Sequence, residues 1–171
     1  KDGFLDMPLS EQMNGMVKAH FNDSKLIEGG LTVHLVQDQR QGGSLDKTDG
    51  FEVNTLSQRL NVNGNLGYLG FKKEGRSAGI KYQYTRNDLD ANFGKLNYNG
   101  AQDRIYIQGL FEDRFAEGLH ILYGGVSYLN EKLNESLADM ASVRHENVPG
   151  VYVEYAYNPE IKNADKKLNQ I

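Results

Sequence analysis

Residues 77–85 read Ser77-Ala78-Gly79-Ile80-Lys81-Tyr82-Gln83-Tyr84-Thr85. Ala78, Ile80, Tyr82 and Tyr84 recur at every second position, and Gly79, Lys81, Gln83 and Thr85 fill the places between them. An extended strand sends successive side chains to opposite faces, so this alternation gives one apolar and one polar face.

The same period runs outward in both directions. It continues through Leu60–Gly70, Leu89–Tyr98, Arg104–Phe111, Leu119–Leu129 and Gly150–Tyr157. Short polar stretches divide these segments: Lys72–Arg76, Arg86-Asn87-Asp88, Asn99–Asp103 and Glu112–Gly118, with Asn99-Gly100 a strong turn signal. Residues 1–59 are less regular. Met13–Phe21 fits a strand, and Leu9, Met13, Met16, Val17 and His20 also fit a helical stripe after Ser10; the strand is preferred. Leu31–Gln37 reads as a strand, Gln39–Gly50 as a loop, and Phe51–Ser57 as a short strand or the start of the one at Leu60. Leu129, Leu133, Leu137 and Met140 are spaced by four, four and three, which predicts a short amphipathic helix near Glu131–Ser142 within a long connection, Asn130–Pro149. The residues after Tyr157 form a polar tail over 158–171, or begin a further strand at Lys166–Ile171.

These elements predict an all-β chain, a single β-barrel domain over residues 1–171. It is an antiparallel meander closing into a barrel of about eight strands, with one short helix in a long loop. Closure is expected because an open sheet leaves two unpaired edges.

Composition removes other classes. The 171 residues include no Cys, so disulfides, thiolate metal sites and thiol nucleophiles are excluded. A net charge of −4 carries no electrostatic footprint for nucleic acid. No apolar run reaches the roughly 18 residues of a spanning helix, so any membrane span would be β. No Ser occupies a Gly-x-Ser-x-Gly frame, and Ser127 and His120, seven residues apart on one strand, face opposite sides. No catalytic residues and no metal site are assigned.

Period two is shared by soluble barrels, apolar inside, and membrane barrels, apolar outside. The composition of the second face helps to separate them. Around Ile80, Ile105, Leu122 and Val153 it holds few charges, among them Lys81, Arg104 and Glu154, which suit a narrow polar lumen. The first face has no mid-strand charge, and Tyr or Phe recurs at strand ends: Tyr84, Tyr98, Phe111, Tyr128 and Tyr157. Over about residues 60–157 the chain resembles bacterial outer-membrane β-barrel proteins. The resemblance implies a location in the bacterial outer membrane, the lipid bilayer as partner, and a narrow porin-like channel or a structural, surface-interacting barrel. Its extracellular loops would be Gln39–Gly50 and Asn130–Pro149. No cofactor is implied. The alternative is a periplasmic or secreted soluble barrel holding a hydrophobic small molecule such as lipid or haem; His20, His34, His120 and His145 would then be the candidate ligands, with Tyr68, Tyr82 or Tyr123 beside them.

Overall fold

A computed structural model describes residues 7–23, 26–44 and 51–159. They form one sheet of seven antiparallel strands in sequential order: β1 (Leu9–Asp23), β2 (Ile27–Gly43), β3 (Glu52–Tyr68), β4 (Arg76–Phe93), β5 (Leu96–Phe115), β6 (His120–Leu137) and β7 (Met140–Tyr157). A turn of 3-10 helix at Ala116–Gly118 joins β5 to β6. Among the described residues β1 pairs only with β2 and β7 only with β6, so the sheet stays open at both edges. Among the described residues no second layer packs on it, and the buried apolar side chains are Ala91 and Leu119. No described helix is long and apolar enough to cross a membrane, which says nothing about strands.

The meander agrees with the sequence reading, and Met13–Phe21 lies in β1 as a strand. The strands are longer than expected, at 15 to 20 residues, because expected boundaries fall inside them. Arg86-Asn87-Asp88 continues β4, and Asn99-Gly100 lies within β5. Gly100 keeps a negative φ; the left-handed residue is Gly94 at φ 63°, in the two-residue turn joining β4 to β5. That turn splits the segment Leu89–Tyr98.

The helix expected at Glu131–Ser142 is instead the tip of the β6–β7 hairpin, and Asn130–Pro149 is not a loop. A spacing of four keeps residues on one side of a strand as well as of a helix, so Leu129, Leu133 and Leu137 share a face. The spacing of three crosses the two-residue turn, where Leu137 and Met140 are direct partners. Of the other expected loop, Gln39–Gly50, residues 39–43 belong to β2 and residues 45–50 lie outside the described residues, as does the tail beyond residue 159.

Ala138, in the β6–β7 turn, has φ 51°, a left-handed conformation that costs a side chain about 1 kcal/mol. Ala138→Gly is expected to stabilise the chain by that amount, read as a higher midpoint in urea unfolding.

Candidate lipid-facing band and sheltered polar wall

Directly paired residues of an antiparallel ladder share a face, so the register sorts every strand residue onto one of two surfaces. Val17, Val33, Val62, Tyr84 and Ile105 are linked by successive pairings, as are Leu66, Ile80, Gly109, Val126 and Val151. All lie on one surface. It is the more open one: Ile80, Ile107, Val126 and Val153 are all exposed, Val153 to 74%. Of the buried strand side chains, Thr85 and Ala91 lie on the other, and Asp113, beyond the apolar stretch, on this one. The apolar face is therefore the exposed face.

Its apolar stretch is bounded on every strand. It covers residues 13–21 of β1, 27–35 of β2, 60–68 of β3, 78–84 of β4, 105–111 of β5, 122–128 of β6 and 149–157 of β7. Beyond it the same face turns polar, with Gln37, Gln58, Arg86, Asp103, Asn130 and Asn147 next in line at the end that carries the Gly94 turn.

The two borders of this band do not follow the hydrogen-bonded rows. Met13 is level with Gln37, two residues past the border on β2; Leu60 is level with Arg86, two past the border on β4; Ile105 is level with Asn130, two past the border on β6. Between these steps the border residues pair directly, Leu35 with Leu60, Tyr84 with Ile105 and Tyr128 with Pro149. The opposite border, from Phe21 to Tyr157, drifts by the same total in the same sense. The average slip is about one residue per strand. With a rise of ~3.4 Å per residue and strands ~4.8 Å apart, a level band requires strands tilted by about 35° from its normal, within the range of closed barrels. Seven to nine residues at that tilt give a band roughly 17–22 Å tall, somewhat below the ~25 Å belt of membrane barrels.

Past the band the apolar side changes over. Leu89, Ala91, Phe93, Leu96, Leu133 and Leu137 all sit on the sheltered face, opposite the exposed Asp90 and Asn97. The leucines read from sequence as a helix stripe are part of this inner apolar patch.

Aromatic rings cover glycine gaps. Phe21 pairs with Gly29, Tyr82 with Gly64 and Tyr152 with Gly125, and in each pair a side chain on the glycine would collide with the ring.

On the sheltered face, at the upper border of the band, polar groups link neighbouring strands. Arg59 Nε donates to Asn87 Oδ1 at 2.7 Å, Asn87 Nδ2 to Gln102 Oε1 at 2.8 Å, and Thr85 Oγ1 to Asn61 Oδ1 at 3.0 Å. Arg104 lies 3.8 Å from Glu131, which Arg144 also approaches at 3.6 Å. Farther out, the Tyr98 hydroxyl donates to Glu135 at 2.8 Å, and this bond raises the phenol above its ordinary pKa.

Just beyond the lower border on the exposed face, Asp113 is buried between Lys73 at 2.5 Å and Arg76 at 2.7 Å. Lys73 also lies 3.7 Å from the Phe115 ring centre. The bonds from Arg76 and Lys73 hold the Asp113 carboxyl below its ordinary value. A depressed carboxyl contributes stability above the unfolded-state pKa and loses it as pH falls through the folded one. Asp113→Asn is therefore expected to lower the urea midpoint near neutral pH and to flatten its decline in acid.

Lys81, Arg104 and Glu154 all lie on the sheltered face; Arg104 pairs with Glu131 and not with either of the other two. The histidines divide. His20 and His34 lie on the sheltered face, whereas His120 and His145 lie on the exposed one, where His120 Nδ1 is 2.6 Å from the Tyr155 hydroxyl. Tyr68 and Tyr82 are on the exposed face and Tyr123 on the sheltered one. No group of three His, Asp or Glu side chains among the described residues could hold a metal ion. The sequence reading missed Lys18 and the Asn61, Asn63 and Asn65 row, although the alternation around Val17 and Val62 already places them opposite the apolar set.

No family model matches the sequence, and no curated protein matches it. Solved structures do. The ferric citrate transporter FecA, in its unliganded form, superposes with a TM-score of 0.65 at 10% identity, over 87% of this chain and 25% of that one. The ferric yersiniabactin uptake receptor FyuA from Yersinia pestis gives 0.51 at 12% identity, over 91% and 26%. The likeness is one of fold: the meander has the form of a stretch of outer-membrane β-barrel wall. The chain spans about a quarter of the length of either transporter.

Proposed function

We propose that these seven strands form part of the wall of a bacterial outer-membrane barrel, with lipid on the exposed face and a polar passage for a small solute along the sheltered one. The observation that carries this reading is the apolar band whose two borders climb together by about one residue per strand. A soluble barrel turns its apolar face inward and has no reason to bound it at a level plane. The changeover of the apolar side past the upper border fits the same account, because there the outside medium is water. A transport role is supported by the names of the two fold neighbours, a transporter and an uptake receptor. The end carrying the Gly94 and Ala138 turns, where β2 to β7 overshoot the band by eight or nine residues, is assigned to the cell exterior.

The absence of Cys allows a direct test. Single cysteines at residues 124–128 of β6, spin-labelled in liposomes, should alternate: Val126 and Tyr128 accessible to oxygen in the bilayer, Gly125 and Ser127 to a water-soluble relaxer. A chain that stays monodisperse without detergent, with no such alternation, would refute the reading.

A further inference from the structure

We infer that the sheltered face carries an anion-binding site in the hollow spanned by Lys18 on β1 and Lys81 on β4, and that its ligand is a small solute bearing carboxylate or phosphate groups. The inference rests on the barrel-wall reading for its access route and names the solute class that the wall would take.

The hollow has a volume of about 530 Å³ and lies at the level of the apolar band. Lys18, His20, Asn63, Asn65, Lys81 and Tyr106 line it, with no carboxylate among the lining residues. The absence of acid here is local. The adjoining hollow, which shares Lys81, includes Glu28 and Glu112.

How the face treats its other cations makes the two lysines unusual. Arg40, Arg104, Arg114 and Arg144 each lie within 4 Å of a carboxylate, and Arg59 is hydrogen-bonded to Asn87. Among the described residues neither Lys18 nor Lys81 has an ion-pair partner. Lys18 and Lys81 are both exposed, and two ammonium groups on one wall with no counter-charge beside them favour an anion between them. Their strands are three steps apart, about 14 Å, and each side chain is long enough to lean toward a shared ligand. Carboxamides of Asn63 and Asn65 and the Tyr106 hydroxyl add neutral donors, which satisfy the remaining oxygens of a carboxylate or phosphate.

The test uses the full chain refolded in detergent micelles and titrated calorimetrically with citrate and, separately, with inorganic phosphate. At least one anion should bind saturably and more weakly as salt is raised. Lys18→Gln with Lys81→Gln should weaken it at least tenfold, each single change should give part of that loss, and Lys132→Gln on the exposed face should leave it unchanged. Stronger binding of citrate assigns a polycarboxylate; stronger binding of phosphate assigns a phosphate group. No saturable binding of either anion by the wild-type chain overturns the site, as does binding that the paired glutamine changes leave intact. Far-UV circular dichroism confirms that each variant keeps its strands, and the single changes serve if the double variant does not fold. Insertion into liposomes is read separately. A chain that inserts without binding refutes only the anion site, whereas one that binds but never inserts refutes only the membrane reading.

Discussion

Ile107→Lys is expected to cost about 2–4 kcal/mol of folding into a bilayer, because on the proposed reading it places an ammonium group among lipid near the mid-depth of the exposed apolar band. Ile107 is 47% exposed on the open face of the sheet, two residues from the upper border and four from the lower. Its neighbour Gln108 points to the sheltered face, so Gln108→Lys should fold with a penalty well under half as large. The contrast between consecutive residues is the decisive part of the result. A soluble barrel, with the Ile107 face as its core, would lose stability with or without lipid, and the lysine at 107 would act as a buried unpaired charge. Folding both variants into short-chain liposomes and titrating with urea measures the difference. Equal penalties at 107 and 108 would remove the assignment of faces to media.

The second large effect is expected at Gly64, in the middle of β3. A Cβ there would lie 2.5 Å from the Gly30 carbonyl oxygen and 2.6 Å from the Tyr82 hydroxyl. Gly64→Val adds apolar bulk to a position on the apolar face; on the proposed reading the transfer to lipid is favourable and only packing opposes it. Overpacking of this kind costs about 1–3 kcal/mol. Gly64→Ala should show the smaller part of that cost. If the Tyr82 ring is a main obstacle, Tyr82→Ala should recover part of the loss when combined with Gly64→Val, a coupling visible in a double-mutant cycle. Full additivity would mean that the ring does not occupy the glycine gap.

Which residues share a face was legible in the sequence, because a period of two fixes it within each strand. The sets beginning at Ala78, Ile105, Leu122 and Val151 meet on one surface through their pairings. Where the strands end was not legible. Asn99-Gly100 has the composition of a turn, yet it sits in a ladder in which Gly100 pairs with Leu89 and Glu135 and lies under the Tyr98 ring. Tertiary pairing overrode a local preference there. The leucines at 129, 133 and 137 misled for an arithmetical reason, since four is compatible with both periods. The slip of the band was out of reach altogether: it belongs to the register between strands, and no single segment encodes it. The candidate polar residues were partly legible. Lys81 followed from its strand, but the pairing of Arg104 with Glu131 depends on which residues the β5–β6 register brings together.

The strand count carries a constraint of its own. In an up-and-down meander odd-numbered strands all run the same way, so β1 and β7 are parallel to each other. These seven strands could close on themselves only through a parallel seam, where pairing is slightly weaker per residue. Copies of the sheet related by rotation about a common cylinder axis would meet with the same parallel polarity. A ring held by antiparallel ladders throughout therefore takes an odd number of additional strands between β7 and β1, in a cylinder whose total is even.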